Sequence, residues 1–227
     1  MKLLVENLKS VPLHLLYLEL GQIPAIYLVK GNMAMYLHYL LQQKTGWMLL
    51  TFLSAQQKEP KRGDWFSYTQ KVINEFNLNL SLSDIKFMKR LSLKVLVLVK
   101  QSAKTKAFDD LMAKQAAGSK GRNIRYDQLE MSDYLIPNSI FSLKDQVELF
   151  EIRCKMNPLP SNRGVLNHCE TLCGSILNNE HIFDCFVLNQ GEHSNYDDIL
   201  NGNIEEKLHA LKVWRRNMET RTEYLRT

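Results

Sequence analysis

Leu93-Lys94-Val95-Leu96-Val97-Leu98-Val99 is the stretch on which the fold class turns. Its density of valine favours a strand, because β-branched side chains fit a pleated surface, while the residues around it favour a helix. Val95, Leu98, Ala103, Ala107, Leu111 and Met112 extend a helical period as far as Gly118, a natural helix stop. No neighbouring segment offers a partner strand, and an unpaired strand has no independent stability. Continuity decides for a helix.

Working outward, Pro12 and Pro24 each stand where a helix would begin, and apolar residues follow both at three- and four-residue spacing. Helices are expected near 12–20 and 24–43, separated by Gly21. In the second, Ile26, Met33, Leu37, Leu40 and Leu41 can share a stripe, and Gly31 weakens the middle by about 1 kcal/mol relative to alanine. A third helix over 47–57 is stopped by Glu59-Pro60, since the residue before proline is driven out of the helical region. Asp64 can cap a fourth over 65–76 carrying Trp65, Phe66, Tyr68, Val72, Ile73 and Phe76, and Ser83 can cap a short fifth. Ser142 with Asp145 forms a capping box for a helix to about Met156, with Val147, Phe150 and Cys154 on its buried side. A last amphipathic helix over 204–225 uses Leu208, Leu211, Trp214 and Met218. The expected fold is mainly α, with no internal repeat.

The 227 residues are 45% hydrophobic and 23% charged with 10 Gly and 6 Pro, enough apolar material for an ordinary core in one or two domains. So little glycine and proline argues against collagen, disordered linkers and turn-dense β-sandwiches. Glu6, Lys9, His14, Glu19 and Lys30 interrupt the apolar N-terminal third, so neither a bilayer span of about 18 apolar residues nor a signal-peptide core is expected. An intracellular protein, nuclear or cytoplasmic and without a membrane partner, is the expectation. There the thiols stay reduced, and four cysteines do not make a disulfide framework.

The net charge of +5 conceals three regions. Residues 1–84 sum to +2, residues 126–227 to −6, and residues 85–125 to +9, with 11 basic side chains against Asp109 and Asp110. A polyanion such as RNA or DNA would gain most from counterion release at this 41-residue stretch, through Lys94, Lys100, Lys104, Lys106, Lys120, Arg122 and Arg125. A solvated helix face that keeps the protein soluble accounts for the same charges.

Cys169, Cys173, His181 and Cys185 put four soft or borderline ligands within 17 residues, the count and spacing of a tetrahedral zinc site. If Asn179 caps a helix beginning at Glu180, then His181 and Cys185 stand one turn apart on one face, with the earlier cysteines closing the site from a loop. The competing reading makes Cys173 and Cys185 small buried hydrophobes beside an incidental histidine. His168 and Cys154 are substitute ligands, and His193 lies in a polar loop.

No catalytic constellation stands out. Asp109 and Asp110 are adjacent on a helix and diverge by about 100°, so both cannot reach one ion. Asp197-Asp198 lacks the aromatic-x-Asp-Asp pattern of a polymerase hairpin, no Gly-x-Ser-x-Gly elbow is present, and Gly118-Ser119-Lys120-Gly121 is too short for a phosphate-cradling loop.

Read in order, these segments resemble the C-terminal region of non-LTR (LINE-like) retrotransposon reverse transcriptases, downstream of the polymerase palm. Tyr17-Leu18-Glu19-Leu20-Gly21-Gln22-Ile23-Pro24 is similar to the family's approach to the thumb, and Tyr36-Leu37-His38-Tyr39-Leu40-Leu41 to the helix after it. Ala55-Gln56, Pro60 and Gly63-Asp64-Trp65 resemble a further motif, as do Ser119-Lys120, Asn123, Tyr126, Leu129 and Tyr134-Leu135 at their spacing. Leu149-Phe150, Arg153 and Met156 resemble its LF-x-x-R-x-x-M helix, the cysteine cluster its CCHC knuckle, and Asn195-Tyr196-Asp197-Asp198-Ile199 a feature after the knuckle. The first cysteine gap is three residues where the family more often has two, and the palm with its catalytic aspartates is absent.

The resemblance implies a helical thumb-like and post-thumb region over 1–125, then a helical linker, a CCHC-like knuckle at about 165–188 and a C-terminal helix over 126–227. It implies one zinc ion and contact with RNA or DNA backbone for template or target handling, without catalysis, and the missing fingers and palm as a partner. The alternatives are a helical protein-interaction module, whose mark would be a large exposed apolar surface in the first 60 or so residues, and a remnant without selected activity.

Overall fold

The Leu93–Val99 segment is helical. The computed structural model describes residues 11–41, 48–78 except 60 and 62, 92–157 except 119 and 138, 159, 168–169, 173–188 except 186, and 194–224. Among these, nine α-helices and two isolated antiparallel bridges make the protein mainly α. In chain order the helices are α1 (Leu13–Glu19), α2 (Ala25–Leu41), α3 (Met48–Lys58), α4 (Trp65–Glu75), α5 (Ser92–Ala117), α6 (Leu143–Arg153), α7 (Asn179–Asp184), α8 (Tyr196–Asn201) and α9 (Ile204–Tyr224). The short helix expected after Ser83 lies outside the described residues.

Packing divides the chain into two compact units, Gln22–Met112 and Met1–Gly21 with Ala113–Thr227. The sequence-based division at residue 125 follows charge and resemblance, whereas these units follow the spatial proximity of the backbone.

In the Gln22–Met112 unit, α2 packs on α3 and α4, and α3 on α4. Asp64 caps α4 as its sequence indicates, accepting from Ser67 N–H at 2.6 Å, and the helix buries Phe66, Thr69, Val72 and Ile73. The buried stripe of α2 begins one residue later than its periodicity suggested: Tyr27, Gly31, Ala34, Leu37 and Leu40 face inward, while Ile26 is exposed. Gly31 has a packing reason. A β-carbon there would stand 3.5 Å from Val99 Cγ1 and 3.9 Å from Ala103 Cβ, so the missing side chain lets α5 lie close against α2. On α5 the inward positions are Val99, Ala103, Ala107 and Leu111, and Leu98 is exposed. The i, i+4 row of small residues required by that close approach displaces Leu98 from the core. Tyr27 Oη donates to Asp110 at 2.5 Å, and Lys30 pairs with Glu75 at 2.6 Å.

The other unit is organised around a buried charge. Glu19 closes α1 with none of its surface exposed, and its carboxylate accepts from Arg153 Nε (2.9 Å), Tyr126 Oη (2.7 Å), Ser132 Oγ (2.6 Å) and Tyr134 Oη (2.8 Å). Arg153, the last residue of α6, also donates through Nη1 to the carbonyls of Ile199 and Leu200, binding α6 to α8. Burial alone would raise the Glu19 carboxyl, but the Arg153 charge and the three hydroxyl bonds outweigh it and hold the group below its ordinary value. After Glu19 the chain must turn at once to bridge Leu20 to Met131 and to let Glu19 O accept from Ser132 N–H at 2.9 Å. Gly21 makes that turn at φ +62°, where a β-carbon would collide with the backbone of Glu130 and Met131.

The capping box read from Ser142 and Asp145 is present, with Asp145 N–H donating to Ser142 Oγ at 3.2 Å and Ser142 N–H to Asp145 Oδ2 at 2.9 Å. Phe150 and Cys154 are buried as expected, joined by Leu149, Ile152 and Arg153, while Val147 is half-buried. Helix α9 packs on α7 and α8 through Ala210, Leu211, Val213 and Trp214; Leu208 and Met218 are half-buried.

Candidate metal centre

Cys169, Cys173, His181 and Cys185 converge: one ligand atom from each lies within 4.8 Å of all the others. Each half of the cluster has a local cause. Ahead of it, His168 and Ile176 form an antiparallel bridge, Cys169 N–H donates to Ser175 O at 2.8 Å, and Gly174 turns the chain at φ +76°. The bridge and the turn at Gly174 bring Cys173 back towards Cys169. Behind it, α7 presents His181 in its first turn and ends at Cys185, whose N–H donates to His181 O at 2.8 Å. The helix begins one residue earlier than its sequence suggested. Asn178 is the cap, accepting from His181 N–H at 2.7 Å, because its side chain is free to turn back on the helix.

Asn179 is instead buried and ties α7 to the rest of the unit. It accepts from Asn157 Nδ2 at 2.9 Å and donates through Nδ2 to Ile152 O and to Tyr196 Oη. Phe183 packs 5.8 Å from Trp214, and Asn217 Nδ2 donates to Ile182 O at 2.8 Å, so α9 fixes the other side of α7. The ligand helix is therefore held by α6, α8 and α9 before any ion is considered.

The interatomic spacings suit one ion. Cys173 Sγ is 3.2 Å from His181 Nε2 and 3.9 Å from Cys185 Sγ. A tetrahedral centre with bonds of about 2.3 Å to sulfur and 2.0–2.1 Å to nitrogen has edges of about 3.8 Å between sulfurs and about 3.6 Å from sulfur to nitrogen. Cys169 and Cys185 are buried and Cys173 and His181 half-buried, and Leu177, Ile182, Phe183 and Leu188, close to them in sequence, are buried as well. Three thiols and an imidazole, drawn together and shielded on one side, are able to hold a metal ion.

Neither substitute ligand joins the set. His168 is exposed and its Nδ1 lies 2.9 Å from Gly174 O, and Cys154 is fully buried at the end of α6, where burial pushes its thiol well up. His193 lies outside the described residues. Among the described residues, this cluster is the one group of three or more His, Cys, Asp and Glu side chains able to share an ion.

The basic residues fall on both units. Lys94, Lys100, Lys104 and Lys106 lie on α5 in the Gln22–Met112 unit, and Lys120, Arg122 and Arg125 lie in the other. Lys100 is exposed and Lys104 half-buried four residues on, so both share a helix face. Lys106 is turned about 120° from Lys100; it pairs with Asp110 at 3.0 Å. Lys120 is half-buried, and Arg122 and Arg125 are exposed.

Three of the four paired aspartates serve the fold. Asp110 accepts from Tyr27 and Lys106, Asp198 completes a capping box with Asn195 on α8, and Asp197 accepts from Asn201 Nδ2 at 2.6 Å. Among the described residues, no helix is long and apolar enough to cross a membrane.

No protein-family model, curated protein or solved structure matches the chain. The sequence motifs nevertheless share a physical meaning that their linear reading missed. Glu19, Tyr126, Tyr134 and Arg153 come from three separate motif stretches and meet at one carboxylate. An acid in an apolar stretch near the N-terminus and an arginine in an apolar helix were the available signal, since charges in such settings pair when buried.

Proposed function

We propose that this chain is a non-catalytic, zinc-stabilised nucleic-acid-binding segment, of the kind that lies downstream of the palm in non-LTR reverse transcriptases. The observation that carries the reading is the convergence of Cys169, Cys173, His181 and Cys185 within 4.8 Å. Zinc fits this donor set better than magnesium or calcium, which take oxygen ligands, and a complete four-ligand sphere suits a structural ion rather than a catalytic one. An ion would tie the two earlier cysteines to α7 and add folding energy there. The excess of basic residues over 85–125 supplies backbone contact with RNA or DNA, and the order of the motifs supports the family resemblance.

Elemental analysis after equilibrium dialysis is expected to give one zinc per chain, and Cys185→Ser to abolish stoichiometric binding. Replacing Lys100, Lys104, Arg122 and Arg125 by Gln is expected to flatten the slope of log affinity against log salt for single-stranded RNA or DNA. A metal-free chain, or a slope unmoved by the four substitutions, rejects the corresponding half of the reading.

A second reading, a helical protein-interaction module, is favoured by the exposed apolar side chains of α2 and α3: Ile26, Leu28, Val29, Tyr36, Tyr39 and Phe52. Its occupant would be the fingers and palm of such a polymerase. This reading predicts that a separately expressed fingers-palm fragment of such a polymerase co-sediments with the chain, and that Ile26→Glu with Val29→Glu abolishes the complex. A fragment that sediments independently of the chain rejects it.

A further inference from the structure

A cavity of about 200 Å³ opens within the Met1–Gly21 and Ala113–Thr227 unit, between the turn Gly121–Ile124, the end of α6 and the start of α8. It has room for a phosphate group and a few waters, each water taking about 30 Å³. Arg153 and Tyr196 form part of its wall, Arg122 and Lys155 contribute cations, and no carboxylate lines it. The charges are unequally committed. Arg153 is neutralised by Glu19 and satisfies the carbonyls of Ile199 and Leu200, whereas the side chains of Arg122 and Lys155 have no hydrogen-bond or ion-pair partner among the described residues. Two residues with uncompensated positive charges therefore line one small cavity, and their charges match a phosphate monoester dianion.

The surroundings are rigid. Gln115, 2% exposed, donates through Nε2 to Gly121 O at 2.6 Å and to Ile124 O at 2.8 Å, clamping the turn from inside. Asn201 holds it from the other side, donating to Asn123 O at 3.1 Å and accepting from Arg125 N–H at 2.8 Å. Lys155 is fixed in the same way: Lys155 N–H donates to Ile152 O and Met156 N–H to Glu151 O, the paired bonds that close a helix with a left-handed residue. That position usually carries glycine, yet here a lysine occupies it at φ +53°. A preorganised turn and a strained, cation-bearing helix end are what an anion site needs in order to bind without ordering itself first.

We propose that this cavity is a phosphate-binding site in which Arg122 and Lys155 are the principal ligands. The phosphate's source, a nucleic-acid end or backbone, rests on the nucleic-acid reading above, but the site itself does not. A cation at a helix C-terminus also complements the helix dipole; if that were the whole role of Lys155, its loss would lower stability and leave phosphate binding unmoved.

The test titrates the full-length, metal-loaded chain with inorganic phosphate by phosphorus NMR and calorimetry, then with a dinucleotide carrying a 5′-phosphate and the same dinucleotide with a 5′-hydroxyl. Lys155→Gly keeps the backbone conformation, Arg122→Gln changes an exposed side chain, and Lys58→Gln, at an exposed residue of the other unit, is the control. Saturable phosphate binding is expected, weakened about tenfold by each of the first two variants and unchanged by the third, with the 5′-phosphorylated dinucleotide preferred. Absence of phosphate binding at low salt, or equal binding by wild type and both variants, overturns the proposal. Nucleic-acid binding whose salt slope ignores both variants, with no competition from phosphate, removes the cavity and leaves the broader reading intact. Phosphate binding lost in both variants, in a chain that ignores nucleic acid, keeps the cavity and removes the broader reading.

Discussion

Arg153→Met should be the most damaging single substitution in the unit that carries the metal site. Arg153 is 3% exposed and Glu19 fully buried, and their 2.9 Å contact is reinforced by three hydroxyl donors. Methionine keeps most of the volume but leaves a buried carboxylate without its counter-charge and two carbonyls, of Ile199 and Leu200, without their donor. Breaking a buried pair from one side costs about 3–5 kcal/mol, a third or more of the roughly 5–15 kcal/mol that holds a domain together. Glu19→Gln should cost a similar amount by stranding the guanidinium. The double variant buries neither charge and should cost at least about 2 kcal/mol less than the sum of the singles. Urea unfolding followed by Trp214 fluorescence, in a Trp47→Phe/Trp65→Phe background, reports on this unit because Trp214 packs on Phe183 there. The pH dependence has a definite sign. The Glu19 carboxyl is held below its ordinary 4.5, so its contribution is complete above that value and is lost as pH falls through the lower folded value. Arg153→Met should shrink this acid-side loss. A single substitution costing under about 1 kcal/mol, or a coupling near zero, would refute the account of Glu19 as the organising charge.

At Gly31, alanine should fit, since its β-carbon would make ordinary contacts with Val99 and Ala103 at 3.5 and 3.9 Å, and should raise stability by up to about 1 kcal/mol through helix propensity. Leucine at the same place should cost about 1–3 kcal/mol by forcing α2 and α5 apart; both follow from thermal unfolding. Lys155→Gly should stabilise the chain by about 1 kcal/mol by relieving the left-handed conformation at φ +53° while weakening phosphate binding, opposite signs that a purely structural lysine would not give. Gly21→Ala should cost more than about 2 kcal/mol, because both the backbone angle at φ +62° and the neighbouring backbone exclude a β-carbon; a milder loss in urea unfolding would show that the turn can move.

The mainly helical fold was legible wherever a signal was local. Asp64, Ser142 with Asp145, and the prolines at 12 and 24 mark helix starts through bonds or angles that span three or four residues. The face each helix buries was less legible, because that depends on its neighbour. Ile26 and Leu98 belong to good apolar periods but are exposed, since the close crossing at Gly31 selects Val99 and Ala103 instead. The four residues of the Cys/His cluster were readable from residue type and spacing, while the cap at Asn178 was missed because two successive asparagines offer the same chemistry and tertiary contacts decide between them. Glu19 and Arg153 stand 134 residues apart, and nothing local connects them.

The same long-range contacts couple the two candidate sites. Asn179 begins the helix that carries His181, and its side chain donates to Tyr196 Oη, while Tyr196 Oη donates to Ile152 O and Tyr196 lines the proposed phosphate cavity. Removing the ion takes away the anchor of α7 on its cysteine side, so Asn179 and then Tyr196 should lose their fixed positions, loosening one wall of the cavity while Arg122 and Lys155 remain. Chelation of the intact chain should therefore weaken inorganic phosphate binding by several-fold, and Asn179→Ala should do the same with the ion still bound. Hydrogen exchange should show the amides of α7 and α8 opening together after chelation and those of α4 unchanged. Phosphate affinity that is indifferent to both perturbations would mean that α8 holds the cavity wall by its own packing against α9, and the coupling through Asn179 would be rejected.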